Sequence, residues 1–236
     1  GLRLVAGLEA AAAARLVAAR QAAQGAFASV QDMALAARLD RQHLQALAAA
    51  DALRSLAGHR RQQAWDAASR LRAPPLWRDA PVHEESLVLP EAPEGEEILF
   101  DYAATGLTLR RHPLALLRPR LDRWRLRSAL QLQAVPHGHT VRACGIVTVR
   151  QRPGSAKGTM FVTLEDETGT VNVIVWPALV ERWRAPLLRS RLLAVQGQWQ
   201  SMVPEGGGIP VRHLVAQRFR DLTPLLGRMA QALDGS

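Results

Sequence analysis

The 236-residue chain contains one cysteine, Cys144, and one lysine, Lys157, among 30 basic residues. A single cysteine excludes an internal disulfide and fits a reducing, cytoplasmic location. No apolar run approaches the roughly 20 residues that a membrane span needs, and no segment resembles a signal peptide, so no membrane partner is expected. Because the chain begins at Gly1 rather than Met, we expect a fragment of a longer protein.

Catalytic and metal-binding motifs are also missing from the sequence. It has no phosphate loop, nucleophile elbow or dinucleotide fingerprint. The seven histidines lack metal-ligand spacing, since His137 and His139 have no Cys or acidic partners nearby. Glu165, Asp166 and Glu167 resemble a metal cluster in composition, but their place on a hairpin turn favours solvent-exposed carboxylates. We therefore expect no catalytic residues, no metal site and no cofactor in this chain.

Positive charge is in excess and is unevenly distributed. The net charge is +6 over residues 1–78, −8 over residues 79–101 and +11 over residues 102–236. Two cationic blocks that flank an acidic segment indicate a polyanionic partner such as nucleic acid. At any single arginine the alternative is a solvated surface charge that only keeps the protein soluble.

Residues 1–72 are predicted to form a small helical domain of four or five short helices. A helix from about Ala10 to Gln24 ends at Gly25, and a last helix spans Leu53 to Leu71. Between these helices, alanine-rich segments alternate with turn residues. The composition therefore favours short helices over one long helix.

The turn at Gly7 and Leu8 suggests how this helical domain could bind DNA. A glycine between two helices lets the backbone and the free N–H groups of the next helix approach a phosphate, as in a helix-hairpin-helix module that grips duplex DNA. Gly7, Leu8 and Arg15 are the candidate duplex contacts. A plain helical bundle is the alternative, because Glu9 replaces a small residue of the motif and Asp51 faces the phosphate in a second hairpin.

Residues 73–101 are predicted to be an acidic linker with five prolines, and residues 102–135 a helical connecting segment. Ile98-Leu99-Phe100 has the apolar ending of a peptide that binds a sliding clamp. The glutamine that should precede this ending is missing, and the same segment is also interpreted as the start of the next domain.

Residues 136–222 change to the two-residue alternation of β-strands. The hairpin Lys157–Pro177 follows a first strand at Val141–Val149, and a short helix at Ala178–Leu187 precedes strands at Arg191–Trp199 and Val211–Phe219. Five strands with a helix between the third and fourth are the order of an OB-fold. The predicted fold class is therefore α+β with two domains, a small all-helical helix-hairpin-helix domain followed by a five-stranded OB-fold β-barrel. Residues 223–236 are predicted to be a C-terminal tail.

The alternation in the hairpin points Phe161 and Trp176 away from the core. Outward aromatic rings among cations are typical of a stacking platform for single-stranded nucleic acid. The predicted DNA-binding residues of this face and its first loop are Arg142, Arg150, Arg152, Lys157, Phe161 and Trp176. Coverage of the two rings by a neighbouring domain is the alternative.

These residues resemble a known family. VRQRPGSAKG at Val149–Gly158, FVTLEDETG at Phe161–Gly169 and VNVIVWP at Val171–Pro177 resemble the OB domain of the error-prone, C-family relatives of the bacterial DNA polymerase III alpha subunit. Those relatives are translesion polymerases encoded with an inactive Y-family polymerase-like protein. Upstream, GLRLVAGL at Gly1–Leu8 and ADALRSL at Ala50–Leu56 resemble their tandem helix-hairpin-helix region, and Tyr102 and His112-Pro113 the segment after it.

The resemblance implies a non-catalytic, C-terminal fragment of a damage-induced translesion DNA polymerase. Its ligands would be primer-template and single-stranded template DNA, and its partner the inactive polymerase-like accessory protein. The sliding clamp would be reached only through that partner, and Mg²⁺ would serve the parent polymerase outside this chain. The alternative function is a protein-interaction module that docks partner proteins and has little DNA binding of its own.

Overall fold

A computed structural model describes residues 1–69, 89–203, 207–208 and 210–228. The chain divides into two compact units, Gly1–Leu109 and Arg110–Ser236. The described part of the first unit is helical, and the second unit contains a closed five-stranded barrel. The predicted α+β class, with a helical domain before an OB-type barrel, is confirmed.

Short helices build the first unit around a shared apolar core that includes Leu16, Met33 and Leu47. Its described helices are α1 (Ala10–Ala22), α2 (Val30–Ala36), α3 (Arg41–Ala49), α4 (Arg54–Ala57), α5 (Arg60–Ser69) and α6 (Glu94–Thr105). The single helix predicted over Leu53–Leu71 is instead the pair α4 and α5, because Gly58 takes a positive φ of 73° after α4.

The C-terminal end of the predicted linker, residues 73–101, is helical because α6 begins at Glu94. Three acidic residues in its first turn complement the positive end of the helix dipole. The buried guanidinium of Arg60 in α5 pairs with Glu97 at 3.3 Å and with Asp101. This long-range ion pairing fastens α6 to the helical unit, and residues 73–88 of the predicted linker lie outside the described residues.

The second unit is built on five strands whose order in the closed barrel is β1-β2-β3-β5-β4. They are β1 (Thr140–Gln151), β2 (Met160–Asp166), β3 (Gly169–Val175), β4 (Leu192–Met202) and β5 (Val211–Asp221). All pairs are antiparallel except the parallel pair of β3 and β5. Alternate residues such as Leu164, Val173, Leu193 and Leu214 point inward and fill the barrel.

Helices cover part of the barrel. They are α7 (Pro113–Arg123), α8 (Ala129–Gln133), α9 (Pro177–Arg182), α10 (Arg184–Arg189) and α11 (Thr223–Gly227). The pair α9 and α10 occupies the place of the helix predicted over Ala178–Leu187, and its residues Val180 and Leu187 belong to the barrel core.

The acidic turn after β2 fastens α7 and α8 to the barrel. Arg118 donates from Nε to Glu167 Oε1 at 2.5 Å and from Nη2 to Glu167 Oε2 at 2.9 Å. The buried Asp166 accepts the N–H of Ala129, the first residue of α8, at 2.7 Å. The prediction of exposed carboxylates is therefore wrong for Asp166 and Glu167, because both anions have structural partners.

A β-bulge in β1 changes which of its residues face outward. Before the bulge Val147 lies opposite the buried Leu164, whereas after it Gln151 lies opposite Phe161. Directly opposite residues in an antiparallel pair point to the same face, so the extra residue Thr148 shifts the alternation by one position. The outward face of β1 beyond the bulge is therefore not the face that simple alternation predicts.

Candidate nucleic-acid interface

Two aromatic side chains form an exposed patch on the outer face of β2 and β3. Phe161 lies opposite Ile174 in the strand register, and Trp176 is the next residue on the same face after Ile174. Phe161 is 39% exposed and Trp176 is 54% exposed. Diagonal neighbours on one face lie about 7–8 Å apart, close enough for large rings to form one surface. The structure thus brings together the two rings that the sequence predicted to face outward.

The loop between β1 and β2 places two cations at this patch. A Cβ built on Gly158 would lie 3.2 Å from Arg152 Nη2 and 3.5 Å from Pro177 Cγ. The Arg152 guanidinium and Pro177, the residue that follows Trp176, therefore both lie beside Gly158. Both Arg152 and Lys157 are exposed, and within the described residues neither has a carboxylate partner. Their charges are available to an anionic ligand.

Arg150 does not lie on the aromatic face, so its predicted position is wrong. The bulge places it opposite the inward-facing Val162. Its Nε donates to the carbonyl oxygen of Leu187 at 2.6 Å, and its Nη2 donates to that of Ser190. Burial lowers the pKa of the Arg150 guanidinium. Arg150 therefore ties β1 to the C-terminal end of α10, and Gln151 takes the place beside Phe161.

Arg142 is exposed on the outer face of β1, but it lies at the opposite end of that strand from the aromatic patch. The prediction that it lies beside Phe161 is therefore also wrong. It lies opposite Gln196 of β4, which lies opposite Arg218 of β5. Sequence reasoning missed Arg218 and Arg220. The alternation of β5 around the buried Phe219 is the signal that could have found them.

The predicted duplex contacts lie at the start of the helical unit. Gly7 has a φ of +80°, a backbone conformation that glycine adopts without strain, and α1 begins shortly after it. Leu8 packs against the helical core. Arg15 donates to the carbonyl oxygens of Ala37 at 3.0 Å and Arg38 at 3.2 Å, so its guanidinium has a structural role between α1 and the end of α2.

The second predicted hairpin has Asp51 in the left-handed conformation, with a φ of +55°. Its carboxylate accepts from Gln63 Nε2 at 2.6 Å and from Arg54 Nη1 at 3.1 Å. These contacts hold the turn between α3 and α4. They also direct the carboxylate toward side chains of the helical unit. The sequence had instead predicted that this carboxylate faces a phosphate.

Within the described residues, no group of three or more His, Cys, Asp or Glu side chains could hold a metal ion, and no helix is long and apolar enough to cross a membrane. Cys144 is buried, and burial raises the pKa of its thiol to about 12. The thiol is therefore protonated at neutral pH. The chemistry that the aromatic patch and its loop offer is ring stacking and contact with anions.

The two units match two different families of domains. Residues 1–63 match a helix-hairpin-helix motif, and residues 141–222 match an OB-fold nucleic acid binding domain. Among solved structures, an asparaginyl-tRNA synthetase from Pyrococcus horikoshii aligns with a TM-score of 0.29 and 22% identity over 36% of this chain and 20% of that protein. A small single-stranded DNA binding protein from Mycoplasma pneumoniae aligns with a TM-score of 0.29 and 10% identity over 35% of this chain and 92% of that protein.

Curated relatives match almost the whole chain. An error-prone DNA polymerase from Ralstonia nicotianae is 52% identical over 98% of this chain and 21% of its own length. One from Methylococcus capsulatus is 50% identical over 94% of this chain and 20% of its own length. The chain thus spans about one fifth of the length of these relatives. Nearly throughout its length the chain is related to error-prone DNA polymerases, and it carries a helix-hairpin-helix motif followed by an OB-fold nucleic acid binding domain.

Proposed function

We propose that this chain is the DNA-binding, non-catalytic C-terminal part of an error-prone, damage-induced translesion DNA polymerase. The observation that carries the proposal is the exposed Phe161–Trp176 patch beside Arg152 and Lys157, two cations that have no carboxylate partner within the described residues. Exposed rings next to cations on an OB-type barrel suit single-stranded DNA, because every base has a face that can stack whatever the sequence.

The aromatic and the basic side chains of this surface would bind different parts of a nucleotide. Bases stack on Phe161 and Trp176, each worth ~1–3 kcal/mol, while phosphates approach Arg152 and Lys157. Thr163 and Asn172, the next outward pair along β2 and β3, lie 3.3 Å apart between Oγ1 and Oδ1. We expect these polar groups to meet the sugar or base edges of the neighbouring nucleotide.

Duplex DNA would be held by the helical unit. The turn at Gly7 and the first N–H groups of α1, which have no partner inside the helix, would face the phosphates, with Leu8 anchoring the turn in the core. Arg15, predicted as a third contact, is already bonded to backbone carbonyls. The duplex contribution is therefore expected from backbone groups more than from arginine, and it should be weaker than single-strand binding.

The rest of the proposed polymerase lies outside this chain. Mg²⁺ would serve catalytic aspartates there. An inactive polymerase-like accessory protein would link the chain to a sliding clamp. Ile98, part of the clamp-like segment, is fully buried in α6, which supports an indirect link.

Fluorescence anisotropy with a labelled single-stranded oligonucleotide and a primer-template tests the proposal. We expect both to bind at low salt, with log K falling linearly against log salt by about 0.7 for each single-strand phosphate contacted. If neither the single strand nor the primer-template binds at low salt, the DNA-binding function is overturned.

A protein-interaction module is the second candidate, because Val149, Phe161 and Trp176 are all exposed apolar side chains of one unit. Such a patch also suits a partner protein. The combined change Phe161→Ala and Trp176→Ala separates the two functions. Loss of accessory-protein capture with unchanged DNA affinity would favour the interaction module, whereas loss of DNA affinity favours the first function.

A further inference from the structure

The barrel has a second basic surface, formed around the outward residues of the first half of β1. A cavity of about 350 Å³ lies there between the strands and the segment that follows α7. We call it the Trp124 groove. The outward-facing side chains that line it include Trp124, Arg142, Ala194, Gln196, Arg218 and Arg220.

The strand register explains why these side chains meet. Arg142, Gln196 and Arg218 lie opposite one another across β1, β4 and β5 and form one outward row. In the next row the small Ala194 lies opposite Arg220, which leaves a floor low enough for a cavity. The Cα atoms of Arg218 and Arg220 are thus about 7 Å apart along β5, and those of Arg142 and Arg218 are about 10 Å apart across the strands.

The end of α7 builds the wall of the groove. Leu126 N–H donates to the carbonyl oxygen of Leu121 at 3.0 Å, and Arg125 N–H donates to that of Asp122 at 2.8 Å. This Schellman-type ending requires the left-handed conformation that Arg125 adopts, with a φ of +55°. It reverses the chain directly after Trp124, so the indole lies over the strands.

A backbone contact holds the reversed segment in place. Arg127 N–H donates to the carbonyl oxygen of Arg142 at 2.8 Å, along the part of β1 that precedes its pairing with β2. The buried Leu126 lies between this contact and Trp124. The wall of the groove is therefore fixed to the strand that supplies one of its cations.

The charges of the groove are not neutralised within the described part of the chain. Arg142, Arg218 and Arg220 are exposed there and have no carboxylate partner. The guanidinium carbon of Arg120 lies 5.1 Å from the Trp124 ring centroid, and that of Arg220 lies 5.8 Å from it. These arginines surround the indole, whereas Arg118 and Arg150 are held by structural partners. Cations left unpaired around an aromatic wall suit an anionic ligand.

We propose that the Trp124 groove is a second binding site for single-stranded DNA, separate from the Phe161–Trp176 patch. Arg142, Arg218 and Arg220 bind successive phosphates, and Gln196 between them reaches a sugar or base. A cavity of this size accepts a group as large as a nucleotide. Several cations without carboxylate partners around a neutral amide suit a polymer that carries a charge on every repeat unit. This inference rests on the proposed DNA-binding function.

The test compares Arg218→Gln/Arg220→Gln with Arg182→Gln/Arg184→Gln in the full chain. The control removes the same two charges from exposed arginines of α9 and α10 that are not part of the groove. The probe is a labelled oligothymidylate of about 16 nucleotides. We expect the groove variant to lower the salt slope by about 1.4, as for two lost phosphate contacts, and the affinity about tenfold at low salt. The control should change the affinity less than about threefold.

The same changes in a Phe161→Ala/Trp176→Ala background separate the two surfaces. Residual salt-dependent binding that disappears with Arg218→Gln/Arg220→Gln supports the groove. Equal effects of the groove and control variants overturn it while leaving the proposed function intact, and no binding by the unmodified chain overturns both. If the groove variant binds DNA normally but no longer binds a labelled polyglutamate peptide, the groove is a protein site and the DNA assignment is wrong.

Discussion

Arg118 and Glu167 face each other through two parallel hydrogen bonds, with Nε to Oε1 at 2.5 Å and Nη2 to Oε2 at 2.9 Å. Burial alone would raise the pKa of Glu167, but the hydrogen bond and charge of Arg118 hold it below the ordinary value of 4.5. The pair joins α7 to the turn after β2. It therefore links the barrel to the helix that supplies the Trp124 wall.

We expect Glu167→Gln to cost about 2 kcal/mol of unfolding free energy at neutral pH, since it removes a charged hydrogen-bond acceptor. A carboxylate whose pKa is lowered in the folded state stabilises the fold above its unfolded value and loses that effect as pH falls through the folded value. The difference from the unmodified chain should therefore shrink below pH 4.5. Urea unfolding across pH measures it, with the exposed Glu181→Gln as control, and a pH-independent difference would contradict the ion pair.

Arg60 anchors α6 through Glu97 and Asp101, and all three groups are largely buried. Arg60→Ala removes one partner of two largely buried ion pairs, so we expect a loss of about 3–5 kcal/mol in the stability of the helical unit. Hydrogen exchange of α6 amides is the measurement. Arg61→Ala, which removes a more exposed pair with Glu96, is the matched control and should cost less than about 1 kcal/mol. Equal effects would show that Arg60 is not the anchor.

Gly197 lies where β4 and β5 shift register, and a Cβ there would come within 2.1 Å of the Val215 carbonyl oxygen. Because the contact is with backbone, Gly197→Ala should destabilise the barrel by at least about 3 kcal/mol or prevent folding. Gly154→Ala, with nothing within 4 Å of its added Cβ, is the control. The measurement is the thermal unfolding midpoint of each variant. Similar midpoints would contradict the close approach of Gly197 to the Val215 backbone.

Cys144 should react slowly in the folded protein. Burial raises the pKa of its thiol to about 12, so little thiolate exists at pH 8. We expect labelling by a disulfide reagent to be at least about 100-fold slower in the native chain than in denaturant. Comparable rates in the two states would mean that the outer face of β1 is open at this position.

The sequence predicted the barrel because inward and outward residues alternate along its strands, and that pattern also found Phe161 and Trp176. It could not predict the bulge at Thr148, because a bulge without a positive φ needs no special residue type. It could not predict the left-handed Arg125 either, because that position lacks the glycine that usually adopts this conformation. Arg150 was therefore assigned to the wrong face. The Trp124 groove was missed for a related reason, since it depends on strand register and on a chain reversal without a local signature.

The DNA affinity of Phe161→Ala/Trp176→Ala, measured by anisotropy on single-stranded DNA at low salt, tests the central claim most directly. The control is Leu130→Ala/Leu188→Ala, which removes two exposed apolar side chains located on helices. Since each stacked ring is worth ~1–3 kcal/mol, we predict a loss of at least about thirtyfold for the aromatic variant and less than about twofold for the control. Unchanged affinity in the aromatic variant would contradict the claim that this face binds single-stranded DNA.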